Sequence, residues 1–141
     1  GVNSRLDEIQ AALLSVKLSH YNELRTEREE VAKRYLSEIR NKNIELPKIN
    51  DKSEHVWHLF VVSTKNRDKL QKYLAENGIG TQIHYPIPPH LSTAYKYLGY
   101  NKGDLPITES YANHILSLPL YDGMTDVEVN FVIDTINRYE S

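Results

Sequence analysis

The sequence of 141 residues predicts an α+β domain in which a small sheet is covered by helices. Three observations lead to this class. Apolar residues recur at helical spacing through the first forty residues, two short runs are rich in β-branched and aromatic residues, and helix-capping signatures occur near both ends of the chain. The length fits one domain, since domains typically hold roughly 100 to 200 residues.

The first forty residues predict one long helix or two nearly collinear helices. Ser4, followed three residues later by Asp7, fits a capping signature and predicts that the helix begins at Ser4. The segment 19–22 is the expected kink. A helix of about 35 residues is some 50 Å long at 1.5 Å per residue, more than a small domain needs for its own packing. We therefore expect part of residues 1–40 to pack on something outside this chain, while residues 41–141 form the small α+β domain. The apolar stripe consists of Leu6, Ile9, Leu13, Val16, Leu24, Val31, Tyr35, Leu36 and Ile39.

The next elements are two strands separated by a helix. Residues 56–62 have the β-branched and aromatic content of a strand, and residues 81–85 predict a second strand, which Pro86 ends because proline has no backbone N–H. Between them, Asn66 is expected to cap a helix that continues to about Asn77. Gly78 should end that helix in the left-handed conformation.

The last third of the chain predicts three more helices. Short helices are expected over residues 91–97 and 108–116, followed by an extended segment over residues 117–120. Thr125 and Glu128 then form a second capping box. It opens a final helix whose apolar side chains are Val127, Phe131, Val132 and Ile136.

Composition excludes several classes of function. The chain has no cysteine, which excludes disulfides, a thiol nucleophile and cysteine-held metal clusters and suits a reducing, cytoplasmic setting. Its formal charge of −2 arises without a basic block, which argues against nucleic acid as a partner. No apolar run approaches the roughly 20 residues that span a bilayer, and no signal-peptide pattern is present, so we expect no membrane partner.

The start of the predicted first helix is a candidate anion site. First-turn amides and the positive end of a helix dipole favour an anion. Asn3 and Arg5 flank the predicted cap with an amide and a guanidinium, which suit phosphate or carboxylate oxygens. An ordinary helix start with an exposed arginine is the alternative.

A second candidate site lies where the second predicted strand meets the proline loop. His84 and Tyr85 would be held at a fixed place by Pro86, Pro88 and Pro89. Successive strand residues face opposite sides, so both side chains enter one pocket only if the loop bends. The alternative is that Tyr85 lies in the core and that His84 is simply hydrogen-bonded.

Other candidates carry less chemistry. His55 and His58 lie near or within a strand, where their spacing puts them on opposite faces, so we expect no metal site. Tyr95, Tyr97 and Tyr100 could stack on a base or sugar, but packing in the domain is the favoured interpretation. No glycine-rich phosphate loop and no paired carboxylates occur.

Five ordered motifs carry a family resemblance. They are GVNSRLDEIQAA at residues 1–12, WHLF at 57–60, NGIG at 77–80, IHYP at 83–86 and ILSLPL at 115–120. Together they resemble the C-terminal part of the DegT/StrS family of pyridoxal-phosphate-dependent sugar aminotransferases. The resemblance implies the small domain of an aspartate-aminotransferase-like fold, with residues 1–40 linking it to a large domain.

The resemblance also implies a reaction and a set of roles. Such enzymes use pyridoxal 5′-phosphate and an amino-acid donor, here expected to be glutamate, to aminate a nucleotide-linked keto sugar. Asn3 matches the family asparagine that reaches the cofactor phosphate of the neighbouring subunit in a homodimer, and Arg5 matches an arginine at the same boundary. His84 and Tyr85 match the corner that faces the nucleotide-sugar substrate.

In this family the lysine that holds the cofactor lies upstream of the motif that begins the chain. We therefore expect no catalytic residue within residues 1–141 and no transamination by the chain alone. Lys17, Lys33 and Lys69 lie in amphipathic helical contexts that look solvated. The alternatives are a sugar dehydratase of the same family, in which histidine replaces that lysine, and a non-catalytic module that binds anionic sugars or dimerises.

Overall fold

The computed structural model describes residues 4–49 and 55–140. The helices are α1 (Glu8–Ser19), α2 (Tyr21–Glu38), α3 (Arg67–Glu76), α4 (Pro106–His114) and α5 (Asp126–Asn137). Strands β1 (Phe60–Ser63) and β2 (Ile115–Leu118) form the sheet, and two 3₁₀ helices, Pro89–Leu91 and Thr93–Leu98, follow the proline loop. The predicted α+β class is confirmed. Within the described ranges, no helix has the length and apolar character needed to cross a membrane.

Residues 8–38 form two helices that meet at His20, so the break expected at residues 19–22 is confirmed. The predicted start is wrong. Asp7, not Ser4, is the N-cap: its carboxylate accepts a hydrogen bond of 3.1 Å from the backbone N–H of Ile9. An aspartate carboxylate competes well for this position, and helix α1 therefore begins at Glu8.

The sheet is smaller than the sequence predicts. Strand β1 pairs antiparallel with β2, from Phe60 opposite Leu118 to Ser63 opposite Ile115. Single bridges extend it on each side, Glu45 with Ser63 and Gln82 with Ser117. The strand predicted over residues 56–62 is therefore shorter and covers only Phe60–Ser63. The strand predicted over residues 81–85 is reduced to the single bridge at Gln82. Both segments are shortened because each can pair only along the four-residue strand β2, which is distant from them in sequence.

The later elements follow the prediction more closely. Helix α3 ends before Gly78, which has a φ of 78° as expected. Asn66 is its N-cap residue, although its side chain makes no capping hydrogen bond. Helix α4 begins and ends two residues before the predicted range 108–116, because Pro106 occupies its first position and β2 takes over at Ile115. The segment predicted over 91–97 is helical but 3₁₀ in type.

The hydrophobic core lies between the sheet and helices α2, α3 and α5. Tyr35 of α2 is fully buried, its ring meets Phe60 edge-on at 5.0 Å between centroids, and its hydroxyl donates a 2.9 Å hydrogen bond to the carbonyl oxygen of Pro119. Trp57 stacks on the same Phe60 ring at 5.3 Å. The core is completed by residues that include Val62, Leu70, Leu74, Leu116, Val129, Val132, Ile133 and Ile136.

Helix α1 lies outside this core and has no buried residue. Its apolar side chains face solvent, with Ile9 exposed by 72% and Leu13 by 67%. An open groove of about 400 Å³ runs between α1 and the start of α2, with Leu14, Leu18 and Leu24 in its wall. The expectation that part of this helix packs on something outside the chain stays a prediction.

We expect Tyr35→Phe to lower the free energy of unfolding by about 1 to 2 kcal/mol, because the part-buried Pro119 carbonyl loses its donor while the ring packing is kept. Denaturant unfolding followed by circular dichroism measures the change. Tyr111→Phe is the matched control, since Tyr111 is 58% exposed and its hydroxyl has no hydrogen bond to any described residue. Equal stability of the two variants would contradict the assignment.

The capping box of α5 predicts a pH-dependent term in stability. The carboxylate of Glu128 accepts hydrogen bonds from the backbone N–H and the hydroxyl of Thr125 and from the hydroxyl of Tyr121. These donors, the Thr125 N–H first, hold the pKa of Glu128 below its ordinary value of 4.5. Because the folded pKa is the lower one, this stabilisation is present above pH 4.5 and is lost as the pH falls through the folded pKa.

We therefore expect Glu128→Gln to be less stable than the unmodified chain at neutral pH and to approach it in acid below pH 4.5. Urea unfolding at a series of pH values measures the gap. Glu140→Gln is the control, because Glu140 is exposed and makes no hydrogen bond to a described residue. A gap for Glu128→Gln that stays constant across the pH series would show that the carboxylate charge plays no part.

Candidate functional site

The candidate corner at His84 and Tyr85 is built on the edge of the sheet. Ser117 of β2 exchanges two backbone hydrogen bonds with Gln82, of 2.8 and 3.3 Å, which fixes the start of the corner. The chain then leaves the sheet, the peptide bond between His84 and Tyr85 is cis, and the proline loop follows. The two side chains therefore extend from a backbone that the sheet holds at one end.

His84 is half-buried and anchored by one ring nitrogen. Its Nδ1 lies 2.9 Å from the hydroxyl oxygen of Ser117, which is itself buried. Its Nε2 makes no hydrogen bond to any residue within the described ranges. The imidazole is thus fixed at one nitrogen and has the other available for a ligand.

Tyr85 is exposed by 71%, so the alternative that places it in the core is wrong. Its ring meets His84 edge-on, with centroids 5.4 Å apart and planes at 88°. Because the chain leaves the sheet after Gln82, the alternation that would separate neighbouring strand residues does not apply here. The phenol hydroxyl and the imidazole are presented side by side.

The far end of the proline loop is fixed by a contact between the side chains of His90 and Glu109. Nε2 of His90 lies 3.1 Å from the carboxylate of Glu109, and both side chains are largely buried. The same carboxylate accepts the backbone N–H groups of Gly103 and Leu105. The Gly103 N–H first, then the His90 ring, lowers the pKa of Glu109. Sequence reasoning missed this pair, whose members are 19 residues apart.

The tyrosines after the proline loop do not pack as expected. Tyr95, Tyr97 and Tyr100 are exposed by 47%, 80% and 49%, and the 3₁₀ helix that carries the first two has no buried residue. The interpretation that these three tyrosines pack within the domain is therefore wrong. The Tyr100 ring meets the His90 ring edge-on, with centroids 6.2 Å apart, at the far end of the proline loop.

At the N-terminus, Ser4 does not cap the helix, so the predicted anion site is not built on a Ser4 cap. Asp7 occupies the capping position and accepts the Ile9 N–H, and Glu8 lies in the first turn. Arg5 is exposed and makes no hydrogen bond to a described residue. Asn3 lies outside the described residues, so its predicted role stays a prediction.

Two remaining features lie apart from the corner. His55 stacks on Trp57 at 4.0 Å, and its Nδ1 accepts the Trp57 backbone N–H at 3.0 Å. A cleft of about 1220 Å³, open to solvent, lies at the other end of the sheet between residues 42–45, residues 63–66 and helix α4, and neither His84 nor Tyr85 lines it. We regard the corner as the better candidate, because its imidazole and phenol lie side by side and the imidazole is anchored to the sheet through Ser117.

Every lysine in the described part of the chain is exposed. A lysine that forms an imine with a carbonyl cofactor is usually desolvated, because a buried amine more readily loses its charge. The described residues therefore do not fit a covalent pyridoxal-phosphate site, although an arginine such as Arg5 is suited to a phosphate group.

Comparison with known proteins identifies relatives along the whole chain. The chain is 48% identical over 139 residues to a dTDP-3-amino-3,6-dideoxy-alpha-D-galactopyranose transaminase from Aneurinibacillus thermoaerophilus, covering 99% of this chain and 38% of that protein. It superposes on S. venezuelae DesV, solved in complex with a ketimine intermediate, with a TM-score of 0.93 at 41% identity, covering 97% of this chain and 37% of that one. For ntda from Bacillus subtilis with bound cofactor PMP, the TM-score is 0.81 at 29% identity, covering 96% and 33%.

These superpositions confirm the expected fold, which is that of one part of a sugar aminotransferase. The chain spans 38% of the length of the first of these relatives. Residues 1–137 match the model of the DegT/DnrJ/EryC1/StrS aminotransferase family. The chain belongs to that family, as its five ordered motifs indicated.

Proposed function

We propose that the chain is the C-terminal portion of a pyridoxal-phosphate-dependent aminotransferase. In this proposal the whole enzyme transfers an amino group from an amino acid, glutamate, to a nucleotide-linked keto sugar. The similarity to a dTDP-amino-sugar transaminase over 99% of the chain supports this reaction class. The proposed partners of the chain are a large domain and the second subunit of a homodimer.

The observation that carries the proposal is the His84–Tyr85 corner. A free imidazole nitrogen and an exposed phenol hydroxyl lie together on a segment that is held at both ends. Such groups hydrogen-bond sugar hydroxyls, carbonyl oxygens and phosphate oxygens. Their fixed backbone reduces the entropy lost on binding. We assign this corner to the nucleotide-sugar substrate.

The cofactor side of the proposal relies on the N-terminal residues. When bound, pyridoxal phosphate supplies the carbonyl group that carries the amino group between donor and acceptor. Asn3 and Arg5 are proposed to bind its phosphate, and the guanidinium of Arg5, which is exposed and bonds no described residue, is compatible with that role. The lysine that would hold the cofactor is proposed to belong to the large domain, because the described lysines are all exposed.

The exposed apolar face of α1 supports the proposed large domain. Leu6, just before α1, and Ile9, Leu13 and Val16 within it are each more than 60% exposed. An apolar stripe of this kind is a typical interaction surface. We propose that it packs on the large domain or on the second subunit.

We expect residues 1–141 alone to form no lasting covalent link with pyridoxal phosphate and to show no transamination. The physical reason is that an exposed lysine stays protonated and its imine is open to hydrolysis. Absorbance spectroscopy after gel filtration, together with an assay on a dTDP-linked keto sugar, measures both properties. The complete polypeptide is the positive control. Turnover by residues 1–141 together with a stable absorbance band from one lysine would overturn this part of the proposal.

Two substitutions in the complete enzyme should separate the cofactor side from the substrate side. Asn3→Ala removes a hydrogen bond to a charged phosphate, worth roughly 1.5 to 3 kcal/mol, so cofactor affinity should fall about ten- to a hundredfold. Tyr85→Phe removes only a hydroxyl from an exposed ring, so it should reduce kcat/KM for the keto sugar by about tenfold and leave the glutamate half-reaction unchanged.

Each half-reaction is followed separately by stopped-flow absorbance of the cofactor. Tyr97→Phe is the control for Tyr85→Phe, because Tyr97 is even more exposed and lies outside the corner. The assignment is wrong if Asn3→Ala leaves cofactor affinity unchanged while Tyr85→Phe slows both half-reactions equally.

A further inference from the structure

Ser117 is a buried polar residue within an apolar strand. Its neighbours Leu116 and Leu118 belong to the core, and the serine itself is 5% exposed. Burying a hydroxyl costs free energy unless the hydroxyl is hydrogen-bonded. Nδ1 of His84, at 2.9 Å, is its hydrogen-bond partner among the described residues. The cost of placing a hydroxyl here is therefore offset through His84.

The position of this hydroxyl is set by backbone pairing on both sides. Ser117 lies opposite Val61 in strand β1 and opposite Gln82 at the other edge. The chain leaves the sheet after Gln82, and the ring of His84 lies beside Ser117 with Nδ1 2.9 Å from the hydroxyl oxygen.

The burial of the Ser117 hydroxyl indicates the direction of its hydrogen bond with His84. A serine hydroxyl has one proton to donate, and a buried hydroxyl should donate it. Nδ1 of His84 is the acceptor that the described residues offer to it. In the neutral imidazole one nitrogen accepts and the other carries the proton, so an accepting Nδ1 places the proton on Nε2.

We propose that Ser117 is a positioning residue for His84. Its hydroxyl donates to Nδ1, fixes the plane of the imidazole and selects the form in which Nε2–H is a hydrogen-bond donor. That donor meets an oxygen of the nucleotide-sugar substrate, either a carbonyl, hydroxyl or phosphate oxygen. This inference rests on the proposed function for its substrate, but the link between Ser117 and His84 stands on the geometry of the chain itself.

The link is tested first without substrate. Nitrogen-15 NMR of the 141-residue chain labelled at histidine reports which ring nitrogen carries the proton, and His84→Gln identifies the signals of His84. We expect neutral His84 to show an accepting Nδ1 and a protonated Nε2, and Ser117→Ala to shift these signals as the second tautomer becomes populated. A protonated Nδ1 in the unmodified neutral chain, or signals that Ser117→Ala leaves unchanged, would overturn the proposal.

The consequence is then tested in the complete enzyme. Ser117→Ala should reduce kcat/KM for the keto sugar by about tenfold, mainly through KM, and leave the glutamate half-reaction unchanged. Ser117→Thr, which keeps a hydroxyl and suits a strand, should recover most of the loss. Ser63→Ala is the matched control, since Ser63 lies in β1 and its hydroxyl makes no hydrogen bond to a described residue.

A double-substitution cycle separates positioning from general damage to the sheet. If Ser117 acts through His84, Ser117→Ala should cost nothing more in kcat/KM once His84→Gln is present. Equal costs of Ser117→Ala with and without His84 would overturn the inference. If His84→Gln itself leaves keto-sugar use unchanged while the NMR result holds, the substrate assignment under the proposed function fails and the Ser117–His84 link stands.

Discussion

The position of the His84–Tyr85 corner depends on the buried side chain of Tyr35, which contacts strand β1 and the residue that follows strand β2. The Tyr35 ring packs on Phe60 of β1 and its hydroxyl bonds the Pro119 carbonyl just after β2. Burial raises the pKa of Tyr35, so the hydroxyl keeps its proton and remains a donor. Helix α2 thereby fixes where β2 lies, β2 fixes Ser117, and Ser117 contacts His84 at 2.9 Å. A shift of that strand within the core would be transmitted to the corner without any direct contact between the core and a ligand.

Local signals in the sequence were sufficient for the features whose causes are local. The capping box at Thr125 and Glu128, the break near His20 and the left-handed Gly78 each depend on residues a few positions apart, and all three are present. Strand limits were predicted poorly because a strand is defined by its partner. Residues 56–59 have strand-like composition, yet β1 begins at Phe60, where Leu118 is available for pairing. Ser4 was chosen as a cap although Asp7 offered a competing carboxylate.

For the site, side-chain chemistry identified the corner but not its supports. A histidine and a tyrosine before three prolines are visible in the sequence, whereas Ser117 and Glu109 lie 33 and 19 residues from the histidines they contact. One signal was available: a serine inside the apolar run of residues 115–120 implies a buried partner. Nothing comparable points to Glu109, because a first-turn glutamate is common in any helix.

The two proposed functional regions differ in how far the chain itself determines them. The substrate-facing segment is tied at one end to Ser117 and at the other through His90 to Glu109, so its shape is preformed in the domain. The residues proposed to bind the cofactor precede α1, a helix with no buried residue and an exposed apolar face. Under the proposed function, the substrate contacts are therefore preformed in this domain, whereas the cofactor contacts depend on the protein that covers α1.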